Sequence, residues 1–260
     1  MRQSPTATAA EIKISFAAGE AGAALDALGL DRAEGRSRVV HFWDRPEKEA
    51  GDGAGVSLPL LDQGVILRLR RDEEATGSKR KADLTVKLRP CPLLTSPWQR
   101  VREEEDQGED WEFRIEEDRA GPAFTPVLSA SLEAERKFEA ALEAEGGPLD
   151  RVIIEPQLEL LEAAGAAVDD LDGLAALGPI RAVKWRQEWD GLPGSVAIEE
   201  WTTGNELRFL EVSVRADLGE APRVQDLLAE ALRARGLTAP LSGETKTRAV
   251  LRALARDLLR

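Results

Sequence analysis

Five short apolar stretches of this chain carry a charged or polar residue at every second position, and most of those residues are bases. They are Lys13 in AEIKISF, Arg68 and Arg70 in GVILRLRR, Thr85, Lys87 and Arg89 in ADLTVKLRP, Glu112, Arg114 and Glu116 in WEFRIEED, and Lys184 and Arg186 in IRAVKWRQEW. Alternate residues of a β-strand face the same side, so each stretch has one apolar face and one polar face. Repeated strand after strand, the pattern predicts a sheet curled around a polar, cationic interior. The chain as a whole is acidic, with 35 Lys and Arg against 48 Asp and Glu. Bases gathered on one face of an acidic protein point to a concave site for a highly charged anion.

The net charge of −13 disfavours nonspecific binding to nucleic acid or to an anionic membrane surface. No apolar run approaches the roughly 18 residues of a membrane span, and no secretory leader opens the chain. The single Cys91, between Pro90 and Pro92, allows no internal disulfide and no metal-binding spacing, which suits a reducing, cytoplasmic setting. His41 has no second His with which to build a zinc or acid–base site.

Strands are expected at 11–16, 39–44, 64–71, 83–89, 111–118, 180–189, 196–201 and 207–214, the third to fifth of them as a meander. A short helix is expected at 17–28, and an Ala- and Glu-rich window predicts another over 129–145, closed by Gly146 and Gly147. Further helices are expected at 155–167, 223–235 and 245–259. Between them lie a Gly- and acid-rich loop before Asp62, a charged turn over 72–81, an acidic segment over 103–110 and an Asp-rich linker near 169–172. The hairpin turns are Asp190-Gly191 and Thr203-Gly204-Asn205. These elements amount to one domain over 1–260, with a helical insert at about 120–178 and C-terminal helices at about 222–260. The expected class is α+β: a closed eight-stranded antiparallel β-barrel with flanking helices.

In order, the strands read AEIKISF, HFWDRP, GVILRLRR, DLTVKLRP, EFRIEED, AVKWRQEW, AIEEW and RFLEVSV. This series resembles the CYTH superfamily, the triphosphate tunnel metalloenzymes. Their ExExK opening, aromatic–aromatic–Asp-x-Pro segment, L-R-x-R, L-T-x-K, late K-x-R pair and closing strand of alternating Glu have counterparts here in the same order. The resemblance spans about residues 9–215 and the closing helix. It implies a small-molecule triphosphate as partner, bound by Lys13, Arg68, Arg70, Lys87, Arg114, Lys184, Arg186 and, from the last helix, Lys246, with Lys13 and Lys87 as catalytic positions. It further implies Mg²⁺ or Mn²⁺ held by Glu11, Glu199 and Glu211. Triphosphates suit such a lining because guanidinium and ammonium groups can replace the water stripped from several adjacent anionic oxygens.

The chain departs from the family pattern at Ala9, where the first Glu of ExExK belongs, and at Ser213, where a second late Glu belongs. Fewer carboxylates mean weaker affinity for a hard cation. The chain contains no Tyr, whereas thiamine triphosphatases of the family use one beside the strand-four Lys. A literal ExExK at Glu133, Glu135 and Lys137 falls in the helical window, where residues two apart face different ways, and is expected to be a solvated helix surface. Two functions follow as expectations. One is a divalent-metal-dependent triphosphatase acting on inorganic triphosphate or a nucleoside triphosphate. The other is an impaired relative that binds triphosphate or polyphosphate without cleaving it. The family's adenylate cyclases find no adenine pocket in these residues.

Overall fold

Alternation of apolar and polar residues closes this chain into a barrel, seen in a computed structural model that describes residues 6–49, 55–73, 81–92, 94, 98, 110–120, 126–166, 171–204, 207–238 and 246–260. The elements are β1 (Ala9–Phe16), α1 (Ala18–Ala27), β2 (Arg36–Asp44), the two-residue β3 (Glu47–Lys48) and β4 (Val56–Ser57), and α2 (Pro59–Asp62). Next come β5 (Val65–Asp72), β6 (Ala82–Leu88), β7 (Trp111–Ala120), β8 (Pro126–Arg136), α3 (Phe138–Ala144) and α4 (Glu155–Ala163). The chain finishes with β9 (Ala175–Glu188), β10 (Ser195–Thr203), β11 (Arg208–Ala216), α5 (Ala221–Ala234) and α6 (Lys246–Leu258). Most of the acidic segment over 103–110, most of the charged turn over 72–81, part of the Gly-rich loop, Asp169, Asp170 and Asn205 lie outside the described residues.

Around the barrel the strand order is β1-β11-β10-β9-β2-β5-β6-β8-β7, returning to β1. Among the described residues it has nine strands, where eight were expected, and the extra one is β8. The helix expected over 129–145 is confined to Phe138–Ala144. Ala and Glu favour helices, but in β8 the small apolar residues Ala130, Leu132 and Ala134 alternate with Ser131, Glu133 and Glu135, and packing decides the outcome. Leu132 pairs with Val86 on one side and Phe113 on the other. The expected meander fails at the same place. β5 and β6 form a hairpin, β6 then pairs with β8, and β7 turns back to pair with β8 and, in parallel, with β1. Closure is therefore mixed and not wholly antiparallel.

The outward faces form the core. Ile12, Ile14, Val212 and Val214 pack under Ala24 and Leu25 of α1 and Val224 and Leu228 of α5. Leu67, Leu84, Val86 and Leu132 pack under Ala141 and Ala144 of α3 and Leu160 and Leu161 of α4. Buried side chains of this kind contribute about 1.5–3 kcal/mol each. Gly64 sets the entry to β5: at φ +83° a Cβ there would stand 2.7 Å from the Arg89 carbonyl oxygen, and the Arg89 N–H donates to the Gly64 carbonyl at 2.7 Å.

A third apolar cluster lies partly inside the barrel. Phe42 shares the face of its register partner Arg68, and Trp201 shares the face of Glu199 two residues earlier. Their rings stand 5.7 Å apart and pack with Val250, Leu251 and Ala255 of α6. Helix α6 thus caps one end of the barrel, tied to α2 by Arg248 Nη1 at 2.6 Å from Asp62 Oδ1. No described helix is long and apolar enough to cross a membrane.

Candidate functional site

Strand register brings the polar faces together. One row runs across five strands as Ser15, Glu211, Glu199, Lys184 and Arg36. A second runs Phe42, Arg68, Thr85, Glu133 and Glu112, and a third Ile66, Lys87, Ser131 and Arg114. Lys13 continues through Ser213 and Ala197 to Arg186. The strand-borne site residues expected from sequence therefore share the inner face, and Lys246 joins them from the start of α6.

Three groups of ion pairs organise this interior. The first is centred on Asp118, only 2% exposed, whose carboxylate lies 3.3 Å from Lys13 Nζ, 2.7 Å from Lys87 Nζ and 3.0 Å from Arg89 Nε. Lys13 also meets Glu11 at 2.6 Å. Burial alone would raise the Asp118 pKa, but Lys13, Lys87 and Arg89 hold it well below the usual carboxylate range. Burial likewise opposes the Lys13 charge, and Glu11, Asp118 and Glu211 overcome it, raising that pKa. Lys87 goes the other way: burial and repulsion from Lys13 lower it. Asp118 escaped sequence reading although it continues the alternation of Glu112, Arg114 and Glu116.

The second group is centred on Arg70, with Asp83 at 2.7 Å and Glu133 at 2.5 Å. Glu133 was expected on a solvated helix; it instead points into the barrel from β8, in register with Thr85. Arg114 pairs with Glu112 of its own strand.

The third group joins Lys246 to Glu199 at 3.1 Å and Glu211 at 3.2 Å. Its ammonium also sits 3.9 Å above the Trp201 ring, and Ser15 Oγ donates to Glu211 at 3.2 Å. Burial would raise the Glu199 pKa, but Lys246, Lys184, Arg70 and Arg68 hold it down at about 2.

Several cations remain poorly compensated. Arg68 Nε is buried with no hydrogen-bond partner among the described residues, and its Nη2 reaches only Thr85 Oγ1, at 3.4 Å. The nearest carboxylate to Arg38 is Asp72, at 3.6 Å, and Arg36 already holds Asp72 through Nε at 2.8 Å. Lys184 makes no ion pair among the described residues. Burial lowers the pKa of all three, and repulsion from Arg70 lowers it further. Guanidinium groups stay protonated at physiological pH, so Arg38 and Arg68 keep their charge in a buried place beside a third cation, Arg70.

Arg36 and Arg38 were missed because β2 begins three residues before the expected strand; the alternation Arg36, Arg38 ahead of Val39 was the available signal. With Lys184 and Arg186 they line a cavity of about 470 Å³ that Glu34, Leu30 and Trp185 also border. Arg186 is exposed at this rim and donates to Ser195 Oγ at 3.2 Å. Asp44, from the aromatic–aromatic–Asp-x-Pro segment, is structural. Its carboxylate accepts the backbone N–H groups of Arg45, Leu60 and Leu61 and so caps α2.

The divalent cation implied by the family resemblance finds no matching donor set. Glu11 faces Lys13, while Glu199 and Glu211 share the Lys246 ammonium between them. No three Asp, Glu, His or Cys side chains among the described residues converge as metal ligands. Hard divalent ions take about six oxygen ligands, and the position between Glu199 and Glu211 already holds the Lys246 ammonium. The residues present do not fit such an ion.

No family model matches the chain, and no curated protein does. Among solved structures, a candidate adenylate cyclase from Bacillus halodurans superposes with a TM-score of 0.55 at 13% identity, over 94% of this chain and 97% of that one. A second candidate adenylate cyclase, from Vibrio parahaemolyticus, gives 0.42 at 12% identity, over 96% of this chain and 99% of its own. A protein from Pyrococcus horikoshii gives 0.43 at 13%, over 94% and 99%. Only the first superposition is close enough to bear on the fold, and it bears on the fold alone. It shows that this chain shares the overall fold of that structure.

Proposed function

We propose that the barrel binds a chain of phosphates, either inorganic triphosphate or the triphosphate of a nucleotide, between Arg38, Arg68, Arg70 and Lys184. The observation that carries this reading is the buried Arg68, whose Nε lacks an acceptor inside a group of mutually repelling cations. An unsatisfied buried donor costs about 1–3 kcal/mol, more when charged. A polyanion would satisfy several such donors at once, and charge-assisted hydrogen bonds of guanidinium to phosphate are among the strongest a protein makes.

Binding without metal-assisted cleavage accounts best for the carboxylates, because each of Glu11, Glu133, Glu199 and Glu211 is engaged by a base of the site. Hydrolysis of the triphosphate is a second reading. It is favoured by the direct register pairing of Glu199 with Glu211, which sets two carboxylates side by side, and it requires Lys246 to move. The two separate on one experiment. Tripolyphosphate is titrated into the protein by calorimetry, and phosphate release is measured with Mg²⁺ and Mn²⁺. Tight binding without turnover supports the first reading; turnover lost in Glu211→Ala supports the second; neither binding nor turnover contradicts both.

A further inference from the structure

Helix α6 delivers one buried cation to the place where two carboxylates face each other, and that cation is a lysine. Lys246 is 4% exposed and its ammonium has three partners: Glu199 at 3.1 Å, Glu211 at 3.2 Å and the Trp201 ring face at 3.9 Å. The ammonium donates a hydrogen bond to Glu199 Oε2 at 3.1 Å, with Glu211 as a second ion-pair partner and the ring face completing its surroundings. The helix that carries it is held from both sides, by Val250, Leu251 and Ala255 in the apolar cap and by Arg248 on Asp62. Ser213, two residues beyond Glu211, offers only a hydroxyl next to Lys13 and Ala197, and among the described residues no third carboxylate joins the pair as a metal ligand.

We infer that Lys246 is the built-in counter-cation of this site, standing between Glu199 and Glu211 where a divalent metal would otherwise bind, so that the barrel takes up phosphate chains without metal. This rests on the phosphate-binding reading for its ligand, but the lysine's role can be tested apart from it. A fixed ammonium neutralises one of the two carboxylates and keeps their combined field from repelling an incoming polyanion. It also excludes a second cation from the same position by like-charge repulsion. Arg38, Arg68, Arg70 and Lys184 then supply the charge that a metal supplies in a metal-dependent site. Free divalent ions, which complex tripolyphosphate in solution, would only compete.

The test has two arms. In the first, tripolyphosphate is titrated into the unmodified protein by calorimetry, once in EDTA and once in excess Mg²⁺. The expected result is binding in EDTA that is as tight as in Mg²⁺ or tighter; binding seen only with Mg²⁺ overturns the inference and leaves the phosphate reading standing. In the second, Mn²⁺ alone is titrated and followed by electron paramagnetic resonance. The unmodified protein should leave Mn²⁺ free, and Lys246→Met should bind it about tenfold or more tightly, as removal of a like charge at contact distance predicts. Equal Mn²⁺ affinity in the two proteins overturns the inference. Should Lys246→Met fail to fold by circular dichroism, Lys246→Gln takes its place, and the EDTA arm, which needs no variant, decides if both fail. If tripolyphosphate binds under neither condition, the phosphate reading falls and the Mn²⁺ titration alone judges the role of Lys246.

Discussion

Glu133 Oε2 accepts a hydrogen bond from Arg70 Nη2 at 2.5 Å, linking β8 to β5 across the intervening β6. A carboxylate thereby occupies donor capacity of one of the bases inside the barrel. Burial would raise the Glu133 pKa, but Arg70, Arg68, Arg114 and Arg38 lower it, so Glu133 competes with any anionic ligand for the same cations. Glu133→Gln should therefore strengthen tripolyphosphate binding about three- to tenfold and lower thermal stability. Calorimetry and a melting curve check both; weaker binding in the variant would contradict the placement of the ligand beside Arg70.

Arg68 predicts the opposite trade. Arg68→Met removes a buried guanidinium whose Nε has no partner and should stabilise the free protein by about 1–3 kcal/mol. The same variant should lose about tenfold or more in tripolyphosphate affinity. Arg186→Ala, at the exposed rim, should lose less, and Arg256→Ala on the exposed face of α6 should lose nothing measurable. Urea unfolding and calorimetry on the three variants test the order; equal losses would mean that phosphate binds the surface at large.

Asp118 holds three bases at once. Asp118→Asn leaves Lys13, Lys87 and Arg89 facing one another without their shared carboxylate, and should destabilise the fold by about 3–5 kcal/mol. Because the lost charge is negative, added sulfate or tripolyphosphate should recover part of the stability. A melting temperature unchanged from the parent would show that the cluster is not the buried network described above.

Acid should unfold this protein through the same groups. Asp118 and Glu199 both have folded pKa values below those of unfolded chains, which lie near about 3.9 for Asp and about 4.3 for Glu. Groups of this kind add stability above the unfolded value and lose it as pH falls through the folded one. The urea midpoint should thus fall steeply between about pH 4.3 and the Glu199 value of about 2. Glu199→Gln should show a shallower fall over that window. A parent protein whose stability stays level from pH 5 downward would contradict the pairing.

Much of the barrel was legible because a strand writes its inner and outer faces into alternate residues: Arg68 and Arg70, Lys184 and Arg186, and Glu211 with Ser213 all fell on the inner face as read. β8 was not legible, since Ala and Glu dominate it and favour a helix when no neighbouring strand is in view. Its true partners, Val86 and Phe113 beside Leu132, come from segments that only tertiary packing brings near. Arg36 and Arg38 were lost to a strand boundary placed three residues late. The engagement of Lys246 with Glu199 and Glu211 links segments about 35 residues or more apart through a helix cap, a contact that no local pattern encodes.

The central claim is that the cations inside the barrel receive a phosphate chain, and the most direct measurement is a crystal structure of the protein with tripolyphosphate in EDTA. Phosphate density within hydrogen-bond distance of Arg68 and Arg70, with Lys246 still between Glu199 and Glu211, is the result expected. Phosphate found only on the outer surface, with Arg68 Nε still unpartnered inside the barrel, would contradict it.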